Sequence, residues 1–524
     1  MDKSRKIFSN THYSTWILFG IILVGIFLRT YNFHNWLYFA KDQARDSFIV
    51  ESVLKGEAPI PFLGPKMGNS GYKLGPLFYY IKMASGKIFG VGPDKMAYPE
   101  LFLSILTIPL FYFFLKRCFK NNLSLALTGL FSISFFAVRY SRFAWNLNMI
   151  PFFVLLFLLS LSEFLFGKEK TKWPWVISLG IAVGVNTQLH AILIFLSGPI
   201  IFLAFAYVLW KNKQAWKKCA VVILLAIILN SGVIIGETRT DYRNSKNFIS
   251  AFTDKSDNGQ GRLVRDFKLS IACYAQANGY IITSLGEKDN CNFLNKKYYT
   301  DNQKIKFFGS FLSFAFVLLG FFLLARGFRL EKDEKKKIFL GVIILYSALF
   351  FAVMIPAING ATLRYYIHIF FLPYLFLGIM AEFLAEKFPK KYITPVVVIF
   401  ILVAAANLFS IKEAVQELSS GNRSRGDTVI LGEIEPLSDF IISQSFPQKE
   451  AYLEGKYAPS YYWPLNYLTY NKGLILTQIG GKDEIPAGKP LFDINPVKKN
   501  VAQEESENKK SMTAGNIFIE KKTN

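Results

Sequence analysis

Asp42 and Asp46 stand four residues apart with Arg45 beside them, just after the first long apolar segment of the chain. On a helix that spacing puts both carboxylates and the guanidinium on one face. An aspartate in a partly dry pocket can take the proton of an attacking hydroxyl while neighbouring cations hold a departing phosphate. The plainer reading of either residue is an acid near a helix start, favoured by the helix dipole. A second polar feature follows at Lys73, ahead of the aromatic run Leu74-Gly75-Pro76-Leu77-Phe78-Tyr79-Tyr80. Together they suggest a polar reaction centre held against the outer face of a bilayer.

The elements that must position these residues are membrane helices. A chain of 524 residues that is 52% hydrophobic and 16% aromatic is not an ordinary soluble enzyme. Spans of about 20 apolar residues are predicted near 15–32, 97–115, 122–138, 148–166, 173–190, 192–210, 217–236, 306–326, 338–356, 363–384 and 392–411. The expected fold is an all-α polytopic membrane protein with about eleven transmembrane helices. Amphipathic juxtamembrane helices are expected in its first external loop.

The segment Leu74 to Gly90 tests the count, because a crossing there inverts every later loop. Without it, the basic clusters at Lys3 to Lys6, Lys116 to Lys120, Lys168 to Lys172, Lys211 to Lys218, Arg326 to Lys337 and Lys387 to Lys391 all fall on one side, the cytoplasm by the positive-inside rule. With it, Lys82 and Lys87 would sit in hydrocarbon at roughly 2.5 to 3.5 kcal/mol each. The segment is therefore read as a helix in the outer interface, where Lys82 and Lys87 meet anionic headgroups.

The chain then divides into a transmembrane catalytic domain over 1–411, a small external α+β domain over 412–495 and a disordered tail over 496–524. The amino terminus is cytoplasmic and the carboxy-terminal domain external. Two long external loops are expected, 31–96 and 237–304. In the second, Cys273 and Cys291 are placed to form a disulfide, worth about 3 kcal/mol in a chain-entropy account.

The net charge of +23 is explained by the cytoplasmic loops, and no nucleic-acid motif accompanies it. The outward cations Arg45, Lys66, Lys73, Arg139, Arg142 and Arg364 instead suit a phosphate at the membrane boundary. Gln188 and His190, with Asn186 and Thr187, are either helix-packing groups or a wall of a donor pocket. Trp145 and Tyr140 read equally as interfacial anchors. Glu237 and Asp241 open the long loop as further candidates for acceptor binding or acid-base work.

Four segments occur in a telling order: Asp42-Gln43-Ala44-Arg45-Asp46, Gly75-Pro76-Leu77-Phe78-Tyr79-Tyr80, Arg139-Tyr140-Ser141-Arg142-Phe143-Ala144-Trp145-Asn146-Leu147-Asn148, and Leu363-Arg364-Tyr365-Tyr366. In this the chain resembles bacterial membrane glycosyltransferases of the GT-C fold, family 39, the protein O-mannosyltransferase and aminoarabinose transferase-like group. The resemblance implies transfer of a sugar from an undecaprenyl- or dolichyl-type polyprenyl phosphate to an acceptor at the outer face of the cytoplasmic membrane. It implies Asp42 as catalytic base; the family's second carboxylate is missing from its usual place, and either Asp46 stands in for it or Asn146 and Asn148 bind sugar hydroxyls without ionising. It further implies Lys73, Arg139, Arg142 and Arg364 on the donor phosphate. From their own positions, Arg45, Tyr79, Tyr80, Asn146, Asn148, Gln188, His190 and Tyr365 are candidates for the substrate pocket.

The pattern also departs from that family. Gln43 stands where many members have Glu, and Asn146 and Asn148 stand where an acid is usual. Hard divalent cations favour carboxylate ligands, so no metal site is expected and no cofactor is required. The expected partners are the lipid-linked sugar, membrane lipids and an acceptor that is a glycan, a lipid or a protein. A lipid-linked sugar transporter or flippase, or a non-catalytic glycolipid-binding protein, is the alternative. Against transport stand the absence of an evident inverted repeat and the gathering of polar groups on one side.

Overall fold

The computed structural model describes residues 2–68, 71–167, 170–253, 262–285, 303–421, 428–480, 488–497 and 510–522. The first half of the chain forms α1 (Asp2–Thr30), α2 (Lys41–Leu54), α3 (Leu77–Phe89), α4 (Pro93–Leu115), α5 (Asn121–Ser132), α6 (Phe135–Arg139), α7 (Ile150–Gly167), α8 (Trp173–Leu189) and α9 (Ala191–Lys211). There follow α10 (Trp216–Leu229), α11 (Ser231–Arg239), α12 (Arg243–Thr253), α13 (Arg262–Thr283), α14 (Gln303–Leu330), α15 (Glu334–Ala357), α16 (Leu372–Lys387) and α17 (Ile393–Ser420). The carboxy-terminal part adds α18 (Leu431–Ser445), β1 (Glu450–Glu454), α19 (Ala458–Tyr470), β2 (Ile475–Gln478), β3 (Leu491–Pro496), β4 (Ser511–Ala514) and β5 (Ile517–Lys522).

All eleven segments expected to span are helical. Among the described residues, seven helices are long and apolar enough to cross a membrane, or nine if each of two bent pairs is one span. One pair joins α10 to α11 at 54°, the other the 3-10 turn Leu363–Ile369 to α16 at 57°. The two remaining segments are shorter: α8 has 17 residues, and the other is α5, of 12 residues, broken from α6. The break has a local cause, because the Ser134 hydroxyl accepts the Ala137 N–H and starts a new helix there.

The basic loops gather at one pole of the bundle. Arg117 and Lys335 both pair with Glu163, at 2.5 and 2.8 Å. Arg326 pairs with Glu386 at 3.0 Å, and Lys218 donates to the Thr171 carbonyl. The opposite pole carries α2, α3 and the sheet.

Three expectations need correction. The first is the long loop at 237–304, which supplies α12 and α13. Cys273, Tyr274, Ala277, Asn278 and Ile281 recur at helical spacing and are buried in the main core, so α13 is part of the bundle. Cys273 is disulfide-bonded, while its expected partner Cys291 lies outside the described residues.

The second correction concerns the domain boundary at 411. The helix α17 runs through it to Ser420 and ends at Gly421, whose φ of +65° is the left-handed cap that glycine adopts without strain. The third concerns 496–524. Ile517 and Ile519 alternate inward along β5, which pairs with β3 and β4. Their short apolar signal is enough because it completes an existing sheet, in the order β2-β1-β3-β5-β4. Parallel pairing joins β1 to β2 and β3, and antiparallel pairing joins β5 to β3 and β4.

This carboxy-terminal layer does not stand apart from the membrane part. Its core of Leu431, Ile434, Leu453, Tyr461, Phe492 and Ile519 is shared with Leu37, Phe39 and Ala44. Phe39 N–H donates to the Val429 carbonyl and Leu431 N–H to the Leu37 carbonyl, at 3.0 and 2.9 Å. The helix α2 is therefore wedged between two cores.

Candidate active site

The helix α2 is fixed near both ends by its own side chains. At the start, Gln43 accepts from Ala40 N–H at 3.2 Å and donates to the Ala144 carbonyl at 3.1 Å. Near the end, Glu51 accepts from the Tyr467 hydroxyl at 2.7 Å and from Asn471 at 3.0 Å. Between these anchors, Arg45 joins the two aspartates. One guanidinium nitrogen reaches Asp42 at 2.9 Å, and Nε and Nη2 reach Asp46 Oδ1 at 2.9 and 2.8 Å. The Tyr79 hydroxyl donates to the same Oδ1 at 3.0 Å.

The two acids differ in setting. The Asp42 side chain is 57% exposed, that of Asp46 only 8%. Burial pushes the Asp46 carboxyl up to about 6, against the pull of Arg45 and Tyr79. Burial likewise raises the Tyr79 phenol, with the Asp46 charge adding to it, so Tyr79 is a neutral donor. Asp46 is thus a buried anchor for Arg45, and Asp42 is the carboxylate open to an approaching molecule.

A second string of contacts begins on α3. The Lys82 ammonium, expected at the lipid surface, is only 2% exposed and ion-pairs with Glu100, which is 0% exposed. An amphipathic helix docked against α2 and α4 turns that face inward, which corrects the headgroup expectation for Lys82. The other Glu100 oxygen accepts the Trp145 main-chain N–H at 3.1 Å. Trp145 in turn lies under the Arg364 guanidinium, 5.0 Å from ring centre, with Tyr365 at 5.8 Å. Tyr365 meets the His190 ring at 5.4 Å. Arg364 Nε is buried with no hydrogen-bond partner among the described residues, an available donor for an anion.

The neighbouring amides serve the main chain. Asn146 donates to the Leu189 carbonyl at 2.6 Å and Asn148 to the Phe143 carbonyl at 2.8 Å. Gln188 accepts from Leu77 N–H at 3.2 Å and donates to the Leu229 carbonyl at 2.8 Å. It fits there because Gly75 lacks a side chain; a Cβ would fall 2.3 Å from Gln188 Cγ. These groups fix the loops around the site.

Not every expected residue joins this string. The Arg142 guanidinium donates to the carbonyls of Arg29 and Asn32 at 3.0 and 3.1 Å, closing the end of α1 where such carbonyls lack helical partners. Burial lowers it to about 10. Arg139 lies over Tyr140, 5.8 Å from the ring centre. The Tyr80 hydroxyl donates to the Pro61 carbonyl at 2.9 Å. Lys73 is exposed at the edge of a hairpin.

Sequence reasoning passed over Glu100. Its signal was a lone carboxylate inside the apolar run Tyr98-Pro99-Glu100-Leu101-Phe102, and an acid within a membrane segment is a functional candidate by default. Among the described residues there is no group of three or more His, Cys, Asp or Glu placed to hold a metal ion.

Comparison with known proteins gives a match to one family. Residues 73–235 fit the model of the family described as dolichyl-phosphate-mannose-protein mannosyltransferase. No curated protein matches. Among solved structures, the Archaeoglobus fulgidus oligosaccharyltransferase in the apo form is similar with a TM-score of 0.48 and 12% identity over 89% of this chain. The match spans 64% of that protein's length. ArnT from Cupriavidus metallidurans, bound to undecaprenyl phosphate, is similar with a TM-score of 0.47 and 12% identity, covering 98% of each chain. The stretch that holds Lys73, Tyr79, Lys82, Glu100, Trp145 and Gln188 is thus the one that matches, and the chain resembles the dolichyl-phosphate-mannose-protein mannosyltransferase group of membrane glycosyltransferases.

Proposed function

We propose that this chain is a GT-C membrane glycosyltransferase that moves a sugar from a polyprenyl-phosphate donor to an acceptor hydroxyl, with inversion at the anomeric carbon and Asp42 as base. The observation that carries the reading is the unequal pair on α2: an exposed Asp42 held in place by Arg45, whose other side is anchored on buried Asp46. The match of residues 73–235 supports the donor class, since the description of that family names dolichyl-phosphate-mannose.

In this reaction the acceptor O–H proton passes to Asp42 as the oxygen attacks the anomeric carbon. The carbon–oxygen bond to phosphate breaks, and its electron pair leaves with the lipid phosphate. That group needs charge stabilisation and no acid. Arg364, with its unpartnered Nε beside Trp145, and Lys73 are the cations that receive it. Arg142 acts instead by holding the loop to α1.

The pole bearing α2 and the sheet is the outer one, because the basic loops collect at the other pole and such loops stay in the cytoplasm. The amino terminus is then cytoplasmic and the enzyme lies in the cytoplasmic membrane. Asp42→Asn tests the reading in proteoliposomes given radiolabelled polyprenyl-phosphate sugar and a panel of acceptors. The variant is expected to insert and to bind donor normally but to transfer at about a thousandth of the wild-type rate or less. Near-normal turnover removes Asp42 from the role, and label protected inside vesicles without transfer favours a transporter.

A further inference from the structure

The hairpin that presents Lys73 carries a second lysine. Met67 N–H donates to the Tyr72 carbonyl and Leu74 N–H to the Pro65 carbonyl, both at 2.9 Å. Between these bonds, Lys66 and Lys73 face each other as an antiparallel pair. Such a non-hydrogen-bonded pair is the closer of the two kinds, with Cα atoms about 4.5 Å apart and both side chains leaving the same face. The opposite face is apolar, with Met67, Tyr72 and Leu74 packed against Ala191, Ile194 and Phe248. The lysine face is exposed.

Like charges set directly opposite are destabilising, yet here the register is held firmly. The Lys73 N–H and C=O point away from Lys66, and Asn244 takes both, at 2.6 and 3.0 Å. Asn247 donates to the Gly71 carbonyl at 3.0 Å, and Phe248 meets Tyr72 with ring centres 4.8 Å apart. The helix α12 therefore clamps the hairpin from its far edge, and neither lysine has an ion-pair partner among the described residues. Two uncompensated ammonium groups in a fixed register make a fork for an anion of double charge.

We propose that Lys66 and Lys73 together bind the phosphate that leaves in the reaction, with Lys66 as a second ligand not marked by any motif. This rests on the reading of Lys73 given above. The chemistry favours the product over the donor. In the donor the phosphate is a diester with one negative charge. Once the sugar has gone it is a monoester, whose second ionisation lies near pH 6, so it carries nearly two charges at neutral pH. A fork matched to the second charge strengthens as the bond breaks, which is the condition for lowering the barrier. Lys66→Gln is therefore expected to lower kcat more than it raises the donor KM.

The test uses the full chain in phosphatidylcholine nanodiscs with undecaprenyl phosphate as probe. Losing one charge-assisted contact is expected to weaken binding of the probe about tenfold or more in Lys66→Gln, with Lys66→Arg close to wild type. Both variants alter an exposed side chain, and unchanged thermal unfolding confirms that they fold. If Lys73→Gln weakens the probe and Lys66→Gln does not, the fork is overturned while the reading of Lys73 stands. If wild type does not bind the probe, both fall. If Lys66→Gln changes only the retention of phosphatidylglycerol added to the discs, the ligand is a bilayer headgroup and the proposal is overturned.

Discussion

Gln43 donates its side-chain amide to the main-chain carbonyl of Ala144 at 3.1 Å, joining α2 to a loop 101 residues further along the chain. The bond gives a reason for the amide at this position. A glutamate has no N–H to offer and would set its charge against a carbonyl in a buried site. Gln43→Glu is therefore expected to destabilise by about 1 to 3 kcal/mol, the range for a buried polar group left unpaired, and to reduce transfer. Thermal unfolding in detergent checks it. A variant as stable and active as wild type would remove the amide bond from the account.

Asp46 predicts opposite pH effects on stability and on activity. Its carboxyl is raised from 3.8 to about 6 by burial, so between these values the folded chain binds a proton that the unfolded chain does not. Stability then rises as pH falls through that window. Asp46→Asn should abolish the rise, seen as the difference between the two unfolding profiles from pH 7 to 4. Turnover should run the other way, because protonating Asp46 weakens its hold on Arg45 and hence on Asp42. Parallel profiles for the two proteins would sink this role.

Arg142 and Arg364 should separate in kinetics. Arg364→Gln removes a guanidinium over Trp145 whose buried Nε has no hydrogen-bond partner among the described residues and is expected to raise the donor KM about tenfold or more, as the loss of a charge-assisted contact does. Arg142→Gln strips the cap from α1 and is expected to lower the unfolding temperature with little change in KM. A reversed pattern would exchange their roles.

The Lys82–Glu100 pair is expected to behave as a unit. Breaking a buried ion pair by removing one partner costs about 3 to 5 kcal/mol, whereas replacing both with apolar groups is often neutral. Lys82→Met and Glu100→Leu should each cripple folding, and the double variant should recover most of the stability. Trp145 would still lack the acceptor for its N–H, so the double variant should bind donor weakly. Full recovery of donor binding would make the pair purely structural.

How far the sequence could be read follows from which contacts are local. Apolar runs marked all eleven helical segments because hydropathy is summed within each segment. The spacing of Asp42, Arg45 and Asp46 announced a shared face, and their mutual bonds lie within one turn. What remained hidden depends on distant partners. Lys82 looked like a lipid-facing charge because Glu100, on another helix, is what makes it interior. Arg142 looked like a phosphate ligand because the carbonyls it caps lie more than a hundred residues away. The carbonyls of Leu189 and Phe143, to which Asn146 and Asn148 donate, could not be read from the motif alone. Ile517 and Ile519 were too short a signal beside so many polar neighbours until β3 was there to pair with them.

The bond from Tyr467 to Glu51 spans 416 residues, and Ile519 shares a core with Leu37, Phe39 and Ala44. During synthesis α2 therefore leaves the ribosome long before the surface that seats it exists. Until β5 has been made, the two aspartates ride on a helix with one apolar flank uncovered.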